Sequence, residues 1–156
     1  MEASTRENTL YLPIKQIYFD QIIAGTKKEE YREIKDTTYK KYLDNTDGYL
    51  DYNGDLIAED DEMLGDTMAY NGGKFPYYAT EYKYLSLAVG YNKERDTALV
   101  EVTDISFRVM KNKKGEEVIF DIDEDGNAVF SPNGKYAFWE IVYHLGNIIE
   151  VQRKNT

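Results

Sequence analysis

The sequence predicts an α+β fold in which two short N-terminal helices precede a small, mostly antiparallel β-barrel, with one acidic loop insertion. Three observations carry this. Apolar side chains recur at helical spacing between residues 14 and 24. From residue 82 onward, short runs of alternating apolar and polar residues are separated by turn signals. The length of 156 residues suits one domain over 1–156, large enough to bury a core without staples.

Taken in order, residues 9–12 read as a short strand. Pro13 then opens a helix, where its missing N–H costs nothing. Ile14, Ile17, Tyr18 and Ile22, flanked by Phe19 and Ile23, form its apolar side, and Gly25 supplies a left-handed C-cap. Residues 27–34 follow as a charged strand. Asp36 or Thr37 caps a second short helix that buries Tyr39, Tyr42 and Leu43. Residues 82–91 place Leu85, Leu87 and Val89 on one strand face. Residues 97–109 turn Val100 and Val102 inward and Glu101 and Thr103 outward, with Asn92 to Asp96 as the hairpin loop. A second hairpin joins residues 118–122 to 128–130 through Asp125-Gly126-Asn127. Residues 136–145 form a central buried strand, Gly146 breaks it, and 148–153 add a final short one.

Composition excludes several function classes. No cysteine means no disulfide framework, Cys nucleophile or thiolate metal site, and one histidine cannot build a His-rich zinc site. No run approaches 18 apolar residues, and the first ten residues lack the apolar core of a signal peptide. The expectation is a cytoplasmic protein with no membrane partner, no metal and no cofactor. The net charge of -10 is concentrated: residues 45–66 hold eight acidic and no basic side chains. Residues 45–76 therefore read as an acidic, loop-rich insertion, either a solvated run, a lid, or a surface (45–66) for a basic protein partner. The charge disfavours a protein that grips long duplexes through their phosphates. It does not disfavour a pocket for a single base, because the chain outside 45–66 is nearly neutral.

One constellation stands out. Gly25-Thr26-Lys27-Lys28-Glu29-Glu30-Tyr31-Arg32 has the form G-x-K-x-x-E-x-R. Gly25 reverses the chain out of the helix. Lys27 sits near the helix C-terminus, whose exposed carbonyls favour a cation. Glu30 and Arg32, two apart on a strand, share a face; Lys27 has the opposite parity and joins them only if it precedes the regular strand or a bulge intervenes. Together they offer an ammonium, a carboxylate acceptor and a guanidinium fork to one small polar ligand.

The stretch LYLPIKQIYFDQIIAGTKKEEYREIK, residues 10–35, resembles the ASCH domain family of the PUA-like superfamily. VGYNKERDTALVEVTDI (89–105) and YHLGNIIE (143–150) look similar to bacterial and phage members. The resemblance implies a PUA-like β-barrel whose cleft is lined by the signature residues. It also implies a role with RNA, nucleotides or nucleosides. Some relatives look like amide hydrolases of acylated cytidine, in which a Lys and a Thr of this region act with a separate Glu. Lys27 matches the Lys, whereas Glu30 stands where those relatives have Thr, and Thr26 is the nearest hydroxyl.

The expected function is thus recognition of an RNA base, nucleotide or nucleoside through Lys27, Glu30 and Arg32. The alternatives are an amide hydrolase with Lys27 as its catalytic residue, and a protein-interaction module using the acidic loop. Tyr31, Tyr84 and Tyr91 are candidate stacking residues, and equally ordinary packing residues. Glu101 either lines the cleft or is solvated. His144, the single histidine, ends a buried strand as a structural residue or as a cleft ligand. A Ser–His–Asp triad is discounted, because no G-x-S-x-G elbow accompanies the four serines. Residues 121–126 imitate the start of an EF-hand, but the twelfth position is Pro132 and the flanks are strand-like. The Lys111, Lys113, Lys114 cluster is balanced by Glu116 and Glu117 and makes no nucleic-acid patch.

Overall fold

The computed structural model describes residues 2–34, 38–44, 78–134 and 136–154. The acidic insertion and the caps expected at Asp36 or Thr37 lie outside the described residues. The described chain is mostly β. Its order is β1 (Thr9–Ile14), α1 (Gln16–Ala24), β2 (Glu29–Glu33), a single helical turn α2 (Tyr39–Tyr42), and β3 (Leu43–Asp44). It continues with β4 (Tyr78–Ala79), β5 (Tyr84–Val89), β6 (Thr97–Val109), β7 (Ile119–Ile122), β8 (Ala128–Phe130), β9 (Tyr136–Ala137) and β10 (Trp139–Gln152). No helix among the described residues is long and apolar enough to cross a membrane.

The main sheet has five strands in the order β1-β5-β6-β10-β2. Two expectations are corrected here. The sheet is not closed into a barrel, and it is mixed, because β1 pairs with β5 in parallel. Of the two expected helices only α1 is a full one; residues 39–42 make one turn before the chain passes into β3.

Chain contacts divide the molecule into two compact units. The first comprises Met1–Tyr31, Glu81–Ser106 and Val142–Thr156. Its core combines Leu10, Leu12 and Ile14 of β1, Phe19 and Ile22 of α1, Leu85 and Leu87 of β5, Val100 of β6 and Tyr143 of β10. The expected alternation holds in β6, where Ala98, Val100 and Val102 are buried while Leu99 and Glu101 between them are not; in β5, Leu85 and Leu87 are buried but so is Tyr84, and Val89 is only half-buried. The antiparallel register sets Leu85 opposite Val100 and Tyr84 opposite Glu101.

Pro13 does not start the helix. It lies in β1 beside Ala88 of β5, and Lys15 takes the N-cap position with extended backbone. Among the described strands β1 is an edge strand, the one place in a sheet where a residue without an N–H is tolerated. Ile14 therefore packs as a strand residue. α1 buries a narrower stripe than its composition suggested, Phe19 and Ile22, and leaves Ile17 and Tyr18 exposed.

Gly146 does not break the last strand, and β10 runs through it without interruption. A Cβ at position 146 would stand 2.6 Å from the Thr103 methyl group and closer still to Glu101 Oε1. At this position β10 passes close to the outward side chains of β6, which would have to move aside for a larger residue.

The second unit comprises Arg32–Thr80 and Phe107–Ile141. It contains the three-stranded sheet β8-β7-β9 and the β3–β4 pair. The Phe120 and Phe138 rings stack at 4.8 Å, with Phe130 about 6 Å from each. The β7–β8 turn forms as expected, with Gly126 at φ 83°. Asp123 Oδ1 accepts from the backbone N–H groups of Asp125 and Asn127, so the carboxylate of the EF-hand-like stretch is occupied by its own turn.

Candidate functional site

The site begins with how α1 ends. Gly25 adopts the left-handed conformation at φ 80°, which only glycine enters without strain. The chain then folds back, and the Gln21 carbonyl accepts from Thr26 N (3.0 Å), Lys27 N (3.1 Å) and Thr26 Oγ1 (3.2 Å). This cap fixes the Lys27 backbone at the helix end. It also commits the Thr26 hydroxyl to the cap, away from chemistry at Lys27.

Lys27 precedes β2. Its Nζ lies 5.3 Å from the ring centre of Tyr18 and 4.8 Å from that of Tyr31. Tyr18 and Tyr31 are each 42% exposed as residues, and the half-buried Lys27 places its ammonium over both rings. Tyr18 and Lys27 are brought together by the helix reversal, and Tyr31 by the outward parity of β2. Beside them is a pocket of about 410 Å³ lined by Ile22, Gly25, Lys27 and Lys28 on one side and by Leu145 to Ile148 on the other. The Leu145 N–H donates to the Lys28 carbonyl at 2.9 Å and closes the pocket's base.

Glu30 takes the opposite parity. It is only 4% exposed, and its Oε1 accepts from Tyr31 N at 3.2 Å. Glu30 is thus placed inside β2's buried face, whereas Lys27 belongs with the exposed Tyr31. Arg32, half-buried, is the first residue of the second unit.

The remaining candidates separate clearly. Tyr84 is buried, and its hydroxyl donates to the Glu2 carbonyl, holding the N-terminal segment on the sheet. Tyr91 is 85% exposed in the β5–β6 loop. Glu101 lies on the outward face of β6, and its Oε1 receives Asn147 N at 3.4 Å, beside the pocket wall. His144 Nε2 is 2.8 Å from Ser106 Oγ, and its Nδ1 is 3.6 Å from Glu29 Oε2.

Three partners escaped sequence reasoning. Tyr18 was read as core, because helical periodicity alone does not say how wide the buried stripe is. Ser106 and Glu29 meet His144 only through strand pairing. A further cluster, Gln16, Asp20, Asp96 and Arg153, joins α1, the β5–β6 loop and the end of β10. Asp96 accepts from Lys154 N, the Gln16 amide and Arg153 Nη1, each at 2.9 Å. Those bonds, led by the Lys154 amide, pull the Asp96 carboxyl down to about 2. Asp20 is lowered by Gln16 and then by Arg153, and Arg153 is raised in return. The Arg153 guanidinium lies 5.1 Å from the Phe19 ring centre, so this cluster ties the end of β10 to α1. Set against protein-family models, curated proteins and solved structures, the chain matches none of them.

Proposed function

We propose that the chain is an ASCH-type, PUA-like recognition module that takes a nucleoside, a nucleotide or an exposed RNA base at the Lys27 pocket. The observation that carries this reading is the Lys27 ammonium over the rings of Tyr18 and Tyr31 at the pocket rim. A planar base stacks on an aromatic face regardless of its sequence identity. An ammonium beside that face supplies the point charge that a phosphate or a carbonyl oxygen needs.

Recognition is favoured over amide hydrolysis by the same geometry. The hydrolytic reading needs a positioned hydroxyl beside Lys27. Thr26 donates its hydroxyl to Gln21, and Glu30 is turned into the buried face. The test is calorimetric titration with the four ribonucleoside monophosphates and their nucleosides, for wild type, Lys27→Ala and Tyr31→Ala. Binding that weakens in both variants supports the reading. Affinities unchanged in both would remove the site assignment. Turnover of acetylated cytidine that disappears in Lys27→Ala would replace recognition by catalysis.

A further inference from the structure

We propose that Ser106 is a nucleophile activated by His144, and that this edge of the first unit accepts acyl groups from small esters. Its basis is separate from the base-recognition reading, and the two sites share no residue.

β10 lies between β6 and β2 in the sheet. His144, on β10, therefore reaches one neighbour on each side. Ser106 of β6 stands 2.8 Å from Nε2, and the Glu29 carboxylate at the start of β2 stands 3.6 Å from Nδ1. A structural serine–histidine hydrogen bond needs only one ring nitrogen. Here the opposite nitrogen faces a carboxylate, which favours the tautomer with its proton on Nδ1. Nε2 is then left as the acceptor for the serine proton, the division of roles found in acyl-transfer triads of unrelated folds.

The trio is also accessible. The His144 side chain is 34% exposed and that of Glu29 is 42% exposed. Charged contacts this open add little to stability, and the strands that carry them are already joined by their ladders. The backbone that carries the imidazole is nevertheless fixed from both flanks. The His144 carbonyl accepts from Thr103 Oγ1 at 3.2 Å, and the next N–H, of Leu145, is bound to Lys28. At 3.6 Å Glu29 acts as a charge more than as a hydrogen-bond acceptor, and its effect is greatest when the imidazolium forms.

The step balances without a co-reactant other than water. As Ser106 Oγ adds to the ester carbonyl carbon, its proton passes to His144 Nε2. The tetrahedral adduct collapses, the carbon–oxygen bond to the leaving alkoxide breaks, and that oxygen takes the proton from the imidazolium. Water then repeats the addition at the acyl-serine, releasing the carboxylic acid and free Ser106.

The test uses the whole chain, a fluorophosphonate probe read by intact mass, and p-nitrophenyl acetate hydrolysis. One adduct, mapped to Ser106 and absent in Ser106→Ala, is expected. Ser131→Ala should label as wild type does. His144→Ala should label about 100-fold more slowly, in line with the usual contribution of a positioned general base. Glu29→Gln should lose about tenfold, and Glu29→Asp should regain part of it, a rescue that a purely structural role does not give. If His144→Ala fails to fold, as judged by circular dichroism, the Glu29 pair decides. No adduct on folded wild type, an adduct on another residue, or rates indifferent to both His144 and Glu29 overturns the proposal.

Discussion

Asp96 and Arg153 stand 57 residues apart in sequence and 2.9 Å apart in the structure. Asp96 is almost fully buried there, with the Lys154 amide and the Gln16 side chain as its other donors. Asp96→Ala leaves the Lys154 N–H without its acceptor and leaves Gln16 and Arg153 only Asp20, whereas Arg153→Ala leaves Asp96 two of its bonds. Asp96→Ala should therefore lower Tm more than Arg153→Ala does, as read by thermal denaturation at pH 7.

The same carboxylate gives a pH signature. Its folded value is about 2 against an ordinary 3.8. A depressed carboxylate contributes stability that is complete above about 3.8 and fades as pH falls toward 2. The stability gap between wild type and Asp96→Asn should thus be widest above pH 4 and narrow steadily down to pH 2. Urea midpoints taken across that range measure it. A gap that does not change with pH would show that Asp96 is not ionised in the clamp.

Gly146→Ala should destabilise by about 1 kcal/mol at most, because the exposed methyl group meets side-chain ends that can shift, not a closed core. The methyl would meet Thr103 and Glu101. Glu101→Ala removes the nearer of these contacts, so the double variant should recover part of the loss. Urea denaturation of the four proteins provides the cycle.

Lys27 and Glu30 should part company under mutation. Lys27→Ala should leave Tm within about 1 °C, since a half-exposed surface side chain contributes little to stability. Glu30→Ala, at a position 4% exposed, should lower Tm by several degrees. Tyr31→Ala should weaken nucleotide binding by about 5–150-fold, the range that one base–aromatic stack is worth. Thermal shift and calorimetry on the three variants separate placement from recognition.

Gly25→Ala tests how Lys27 is held. An L-residue at φ 80° costs about 1–2 kcal/mol, and a frayed cap would release the Lys27 backbone. Ligand affinity should fall together with stability in this variant, although residue 25 offers no side chain to a ligand.

Much of this was legible in the sequence where the signal is local. β6 matches its expected span because Ala98, Val100 and Val102 alternate strictly with outward residues. The αL conformation of Gly25 and the Asp-Gly turn at 125–126 follow from chemistry within a few residues. The failures have one physical origin: each depends on a neighbour distant in sequence. Pro13 is tolerated in a strand because β1 is an edge among the described strands, and Gly146 lies close to side chains of β6. The pairing of His144 with Ser106 spans 38 residues and had no local sign. In G-x-K-x-x-E-x-R, Lys27, Glu30 and Arg32 are expected to serve one ligand together, yet Glu30 lies on the buried face of β2 while Lys27 stands beside Tyr31.

The open ends of the main sheet matter for how the protein behaves at high concentration. An exposed strand edge is a template on which a second chain can grow an intermolecular sheet. Among the described strands β1 is one such edge, and it carries Pro13, which has no N–H to offer. Pro13 is in this sense a guard against fibril-like association, and Pro13→Val should cost colloidal solubility before it costs folding.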